Sequence, residues 1–85
     1  MTDLEFDILD ELYFIQPFQE LRKNVRMEEK ELLVGLRGLL SKGWLRCFTA
    51  PDEEVHFEEN TFNKDYHQYY YLASKEGLLA HNSKI

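Results

Sequence analysis

The chain has 85 residues, 44% of them apolar and 14% aromatic, which suits one domain with a modest core and excludes a disordered composition. Its net charge of −6 argues against a polyanion ligand held by overall charge, because phosphate neutralisation supplies most of such affinity. No apolar run approaches the ~20 residues of a membrane span, and the acidic start Met1-Thr2-Asp3-Leu4-Glu5 lacks the basic region of a secretory signal.

The elements follow in order. Thr2-Asp3-Leu4-Glu5 has the form of a capping box, so a first helix is expected from there. Leu4, Ile8, Leu12 and Ile15 make one stripe, and Phe6, Leu9 and Tyr13 widen it. Pro17 is expected to end that helix and open a second over 17–24, with Phe18 and Leu21 inward. Val25, Arg26 and Met27 make a turn. A third helix is expected from Glu28 to Lys42, with Leu32, Leu36 and Leu39 inward and Gly43 closing its end. Gly35 and Gly38 lie inside it, where each costs ~1 kcal/mol relative to Ala, so close packing against another helix is their expected role.

Trp44 to Phe48 reads as a strand. The polar stretch from Thr49 to Asp65 reads as the long tip of a hairpin, and Tyr66 to Leu72 as its returning strand. Ser74 is placed to cap a short last helix from Lys75 to His81, and Asn82 to Ile85 are expected to fray. The lone Cys47 leaves no internal disulfide and points to a reducing, cytoplasmic setting. On its strand it reads as a small buried hydrophobe. No linker divides residues 1–85, which are expected to form a single domain.

The stretch LRKNVRMEEKELLVGLRGLLSKGWL, Leu21 to Leu45, resembles the helix-turn-helix of winged-helix domains. Lys42-Gly43-Trp44-Leu45 resembles the usual exit from the recognition helix into the first wing strand. Tyr71-Leu72-Ala73-Ser74-Lys75-Glu76-Gly77 looks like the end of the wing in MarR-like and PadR-like regulators. The resemblance implies an α+β, mostly α, winged-helix fold: a three-helix core, a β-hairpin wing and a short C-terminal helix. It also implies transcription regulation through DNA.

The residues depart from that function. Arg26 stands where the turn usually has glycine. The third helix opens with Glu28-Glu29-Lys30-Glu31 and continues with Leu33 and Val34, whereas base reading needs donors such as Arg, Asn or Gln. The expected wing tip carries Asp52, Glu53, Glu54, Glu58 and Glu59 against Lys64. Charge is nevertheless uneven: residues 1–20 sum to −6, residues 21–46 to +4 and residues 47–85 to −4. Arg22, Lys23, Arg26, Lys30 and Arg37 are therefore the candidates for phosphate contact under a DNA-binding reading. A solvated, ion-paired face is the plainer expectation for them.

Apolar groups expected to face outward favour a protein partner instead. If Leu32, Leu36 and Leu39 point inward, Leu33 and Val34 point largely outward. Alternation in the returning strand sets Tyr69 and Tyr71 against Tyr70 and Leu72, and a free two-stranded wing would leave one set exposed. Leu33, Val34, Tyr69, Tyr70 and Tyr71 are thus the candidate contacts for a homodimer or a partner subunit. No convergent polar set suggests catalysis, and no cofactor, small-molecule ligand, membrane or metal is expected. His56, Glu58 and His67 read as surface residues of a polar loop.

Overall fold

A computed structural model describes residues 1–83. Its elements are α1 (Asp3–Glu11), β1 (Gln16–Pro17), α2 (Phe18–Val25), α3 (Glu29–Ser41), β2 (Leu45–Ala50), β3 (Glu53–Val55), α4 (Glu59–Asp65), a 3-10 turn (Tyr66–Gln68), β4 (Tyr70–Ala73) and α5 (Lys75–Asn82). The architecture is α+β and mostly helical, with four antiparallel strands in the order β1-β4-β2-β3. Among the described residues, no helix is long and apolar enough to cross a membrane.

The capping box at the start of α1 is formed. Thr2 Oγ1 accepts from the Glu5 N–H at 3.1 Å, and Glu5 Oε1 accepts from the Thr2 N–H at 3.1 Å. The helix stops at Glu11, short of the stripe's last member Ile15. Gln16 is needed in extended conformation opposite Tyr71, and the residue before a proline disfavours helix in any case. The Leu12 carbonyl accepts from the Ala73 N–H of β4 at 2.9 Å, and the Gln16 side chain donates to the Glu11 carbonyl at 2.6 Å. Pro17 therefore precedes α2 as its N-cap.

Arg26 ends α2 with φ +53° and ψ +40°, in the left-handed region. The end of α3 is closed as a Schellman motif: the Gly43 N–H donates to the Leu40 carbonyl at 3.1 Å and the Trp44 N–H to the Leu39 carbonyl at 2.9 Å. Gly43 takes φ +76°, which glycine adopts without strain. Gly35 and Gly38 bring α3 onto α1 inside this chain. A Cβ at Gly35 would lie 2.4 Å from Ile8 Cδ1, and one at Gly38 2.8 Å from Glu5 Oε2.

Residues 49–69 differ most from expectation. Pro51 and Asp52 form a tight turn, and the chain returns at once as β3 on the outer edge of β2. It then forms α4, whose start is capped by Glu58, with Oε2 accepting from the Asn60 N–H and Oε1 from the Thr61 N–H, each at 3.0 Å. Phe62 holds α4 to the core and is 1% exposed. The strand that pairs with β2 begins at Tyr70 and not at Tyr66, with Leu45 opposite Ala73 and Phe48 opposite Tyr70. β4 thus lies between β1 and β2, in the middle of the sheet.

The core joins Ile8, Leu9 and Leu12 of α1 to Leu32, Leu36 and Leu39 of α3, and Cys47, Phe62 and Tyr71 complete it. At the far end Ser74 caps α5, its Oγ accepting from the Gly77 N–H at 3.1 Å. Asn82 is the last residue of α5 and Ser83 its C-cap. The rest of the expected fraying segment, Lys84 and Ile85, lies outside the described residues.

Candidate functional site

The fold divides the five apolar candidates. Tyr71 is fully buried and Tyr69 is 7% exposed, so neither offers an outward contact. The expectation failed because β4 is a central strand with its inner face against the core, not one arm of a free hairpin. The Tyr71 hydroxyl donates to the Tyr66 carbonyl at 2.7 Å. Tyr70 and Leu72 take the other face of β4 and stay partly exposed. Phe48 lies opposite Tyr70 and Arg46 opposite Leu72, so these four share that face. Phe48 is buried, only 6% exposed, with the Arg46 guanidinium 5.3 Å from its ring and itself paired with Glu54 at 2.7 Å.

On α3, Val34 is 59% exposed, as its phase requires, but Leu33 is half-buried against the core. The cause is the unexpected segment at 59–68. One turn before Leu33, Glu29 Oε2 accepts from the Tyr66 hydroxyl at 2.5 Å. One turn after it, Arg37 donates through Nε and Nη2 to Asn63 Oδ1 at 3.1 and 2.7 Å, with its guanidinium 5.7 Å from the Phe62 ring. The stripe Glu29, Leu33, Arg37 is thus engaged by α4 and the 3-10 turn.

The basic candidates separate as well. Arg22 lies 3.6 Å from Glu29, and Arg37 is held by Asn63. Lys23, Arg26 and Lys30 are exposed and make no ion pair among the described residues. Lys42 belongs to a different site. Its ammonium donates to both oxygens of the buried Glu5 at 2.8 and 2.9 Å. Burial pushes the Glu5 carboxyl up, but hydrogen bonds from Lys42 and Thr2 and the Lys42 charge outweigh it and leave it below the usual range.

Cys47 is buried, and its thiol donates to the Val55 carbonyl at 3.5 Å. Burial, reinforced by the Glu54 charge, pushes that thiol up to about 11, so it stays protonated at neutral pH. Among the described residues no three His, Cys, Asp or Glu side chains converge to hold a metal ion.

Three exposed apolar groups were not expected. Phe14 is 80% exposed, Leu79 61% and Tyr13 40%. The sequence pattern puts Tyr13 in the stripe of the first helix. The early end of α1 puts it in the following turn, where its hydroxyl lies 2.7 Å from His81 Nδ1 and donates to Asn82 Oδ1 at 3.2 Å. The Gln16-Pro17 pair carried the signal, since a helix ending before it frees both Tyr13 and Phe14. No protein-family model, curated protein or solved structure matches the chain.

Proposed function

We propose that the chain is a winged-helix module that works by contacting protein, a second copy of itself or a partner subunit. In this reading α2, the turn at Arg26 and α3 stand as the helix-turn-helix, β2 and β4 as the wing strands, and β3 with α4 as an insertion between them. The observation that carries the reading is the outer face of β4, where Tyr70 and Leu72 stay partly exposed beside the buried Phe48. Val34 adds an exposed apolar point on α3.

Sedimentation velocity over a wide range of concentration tests it. Self-association is expected in the parent chain and is expected to weaken in Tyr70→Ser and Val34→Asp. Leu33 is too buried to serve as a surface probe. A parent chain that stays monomeric, with no partner lost on either substitution, overturns the reading.

A second reading, a small DNA-binding regulator, draws on Lys23, Arg26 and Lys30, which have no ion pair among the described residues. Against it, α4 occupies one side of α3 and carboxylates crowd its start. Fluorescence anisotropy with mixed duplex DNA decides. Only weak affinity, lost steeply as salt rises, is expected. Binding that survives physiological salt and falls on Lys30→Ala would favour the regulator.

A further inference from the structure

Two surfaces of opposite charge each carry an exposed apolar side chain. The basic one lies at the α2–α3 turn. Lys23, Arg26 and Lys30 are exposed there, and their side chains make no hydrogen bond or ion pair among the described residues. Val34 stands one turn after Lys30 on the same face of α3 and is 59% exposed. Glu31 is turned aside, about 100° round the helix from Lys30, and its Oε1 accepts from the Glu28 N–H at 3.4 Å.

The acidic surface is the outer side of α1. Asp3, Asp7 and Asp10 recur there at helical spacing and are all exposed. Asp7 makes no ion pair among the described residues, and the Asp10 side chain stays 64% exposed although it lies 3.3 Å from His81 Nε2. Phe14 follows in the turn beyond the helix and is 80% exposed. The Tyr13 hydroxyl, bonded to His81 and Asn82, ties that turn to α5, so Phe14 projects from a tethered segment. Such an anchor loses less freedom on binding than one on a loose loop.

An aromatic anchor ringed by one sign of charge fits an aliphatic point ringed by the other, because an apolar centre within a polar rim is how protein contacts are built. Both halves belong to one sequence, so the occupant that matches each is a second copy. We propose that copies of this chain associate head to tail, with Phe14 and the α1 carboxylates of one copy seated on Val34 and the basic α2–α3 turn of the next. The inference rests on the protein-contact reading and narrows it to two unlike surfaces. Unlike surfaces make a heterologous contact, which leaves one of each open on a dimer unless the two copies engage reciprocally. The net charge of −6 opposes self-association. Salt separates the two forces: it weakens pairing between the patches and relieves repulsion between whole chains.

The test is sedimentation velocity of the full chain and of charge-reversed variants. The parent should self-associate, and affinity should fall roughly tenfold from low to high salt as three charge pairs are screened. One variant carries Lys23→Glu with Lys30→Glu, the other Asp7→Lys with Asp10→Lys. Each alone should lose self-association. Their mixture should regain it, because the acidic α1 of the first still meets the basic turn of the second. Phe14→Ser, added to the first variant without changing its charge, should weaken the mixture several-fold. Variants that associate as the parent does overturn the inference and leave the protein-contact reading to the outer face of β4. A mixture that stays monomeric, or that ignores Phe14→Ser and so responds to net charge alone, also overturns it. A parent that is monomeric at every concentration overturns it and leaves the protein-contact reading to a partner subunit. Loss of duplex DNA binding in Lys23→Glu with Lys30→Glu, with self-association intact, assigns the basic surface to nucleic acid and overturns it too. If Asp7→Lys with Asp10→Lys does not fold, the parent against Phe14→Ser and the lysine variant decides.

Discussion

Glu5 shows how one buried charge is made tolerable. Its carboxylate is almost out of solvent, and the Lys42 ammonium and the Thr2 N–H together satisfy both oxygens. Lys42→Met would leave that carboxylate without its cation. Urea unfolding at neutral pH should show a loss of about 1–2 kcal/mol, kept modest because the Lys42 end of the pair remains partly in water. The pH dependence has a definite sign. A carboxyl held below its unfolded value contributes stability that is full above the ordinary glutamate range, about pH 4.3, and is lost as pH falls below it. The acid limb of a stability–pH curve should therefore be flatter in Lys42→Met than in the parent.

Arg26 is a second case at this scale. A side chain in the left-handed region costs roughly 1–2 kcal/mol, and Arg26 sits there at φ +53°. Arg26→Gly removes the strain but adds freedom to the unfolded chain. A net gain of roughly 0.5–1 kcal/mol in denaturant unfolding is expected. The sequence marks this site as an arginine where the pattern it resembles usually has glycine.

Among the elements, those read well from sequence carry their own punctuation. Thr2 and Glu5 fixed the start of α1, Gly43 the end of α3, and Ser74 the start of α5. Those missed are specified by distant partners. β1 is two residues long and exists only because Tyr70 and Tyr71 pair with it. α4 is short and polar, and only Phe62 and Tyr66, four apart, hint at a buried face. It is capped by a glutamate, which is not among the preferred capping residues. Its weak local signal makes Phe62→Ala a sharp probe. The substitution should cost about 3–5 kcal/mol if the cavity stays. Less is expected if α4 melts, in which case hydrogen exchange should rise over residues 59–68 while α1 and α3 stay protected. Exchange that rises uniformly would show that α4 is not a separate unit.

The helical glycines give an ordered pair of outcomes. A Cβ at Gly77 would meet the Trp44 carbonyl oxygen at 2.1 Å, a backbone atom that cannot step aside. A Cβ at Gly35 would meet Ile8 Cδ1, the flexible end of a side chain. Alanine favours a helix over glycine by ~1 kcal/mol, which partly offsets the second clash and does little for the first. Thermal unfolding should therefore show Gly77→Ala well below Gly35→Ala, with both below the parent. The reverse order would mean that α5 can move away from Trp44.

For the molecule as a whole, the sheet order explains why the tyrosine run was misjudged. A hairpin with two free faces would show one set of tyrosines to water. A central strand flanked on both edges, with one face on the core, shows only Tyr70 and Leu72. The segment charges survive folding as separate regions. The carboxylates of α1 apart from Glu5 are largely exposed, whereas Lys23, Arg26 and Lys30 mark a basic surface at the α2–α3 turn. The acidic start of α3 and the residues lying across its Glu29, Leu33, Arg37 stripe are what turn the functional reading away from nucleic acid.

The placing of β4 sets a timetable for synthesis. The strand that both β1 and β2 require is made after both of them, and Leu12 waits for Ala73 to take its carbonyl. Until then a ribosome-bound chain holds helices with open backbone groups and no closing strand. A fragment ending before Tyr70 should be degraded rapidly by a nonspecific protease, whereas the full chain resists.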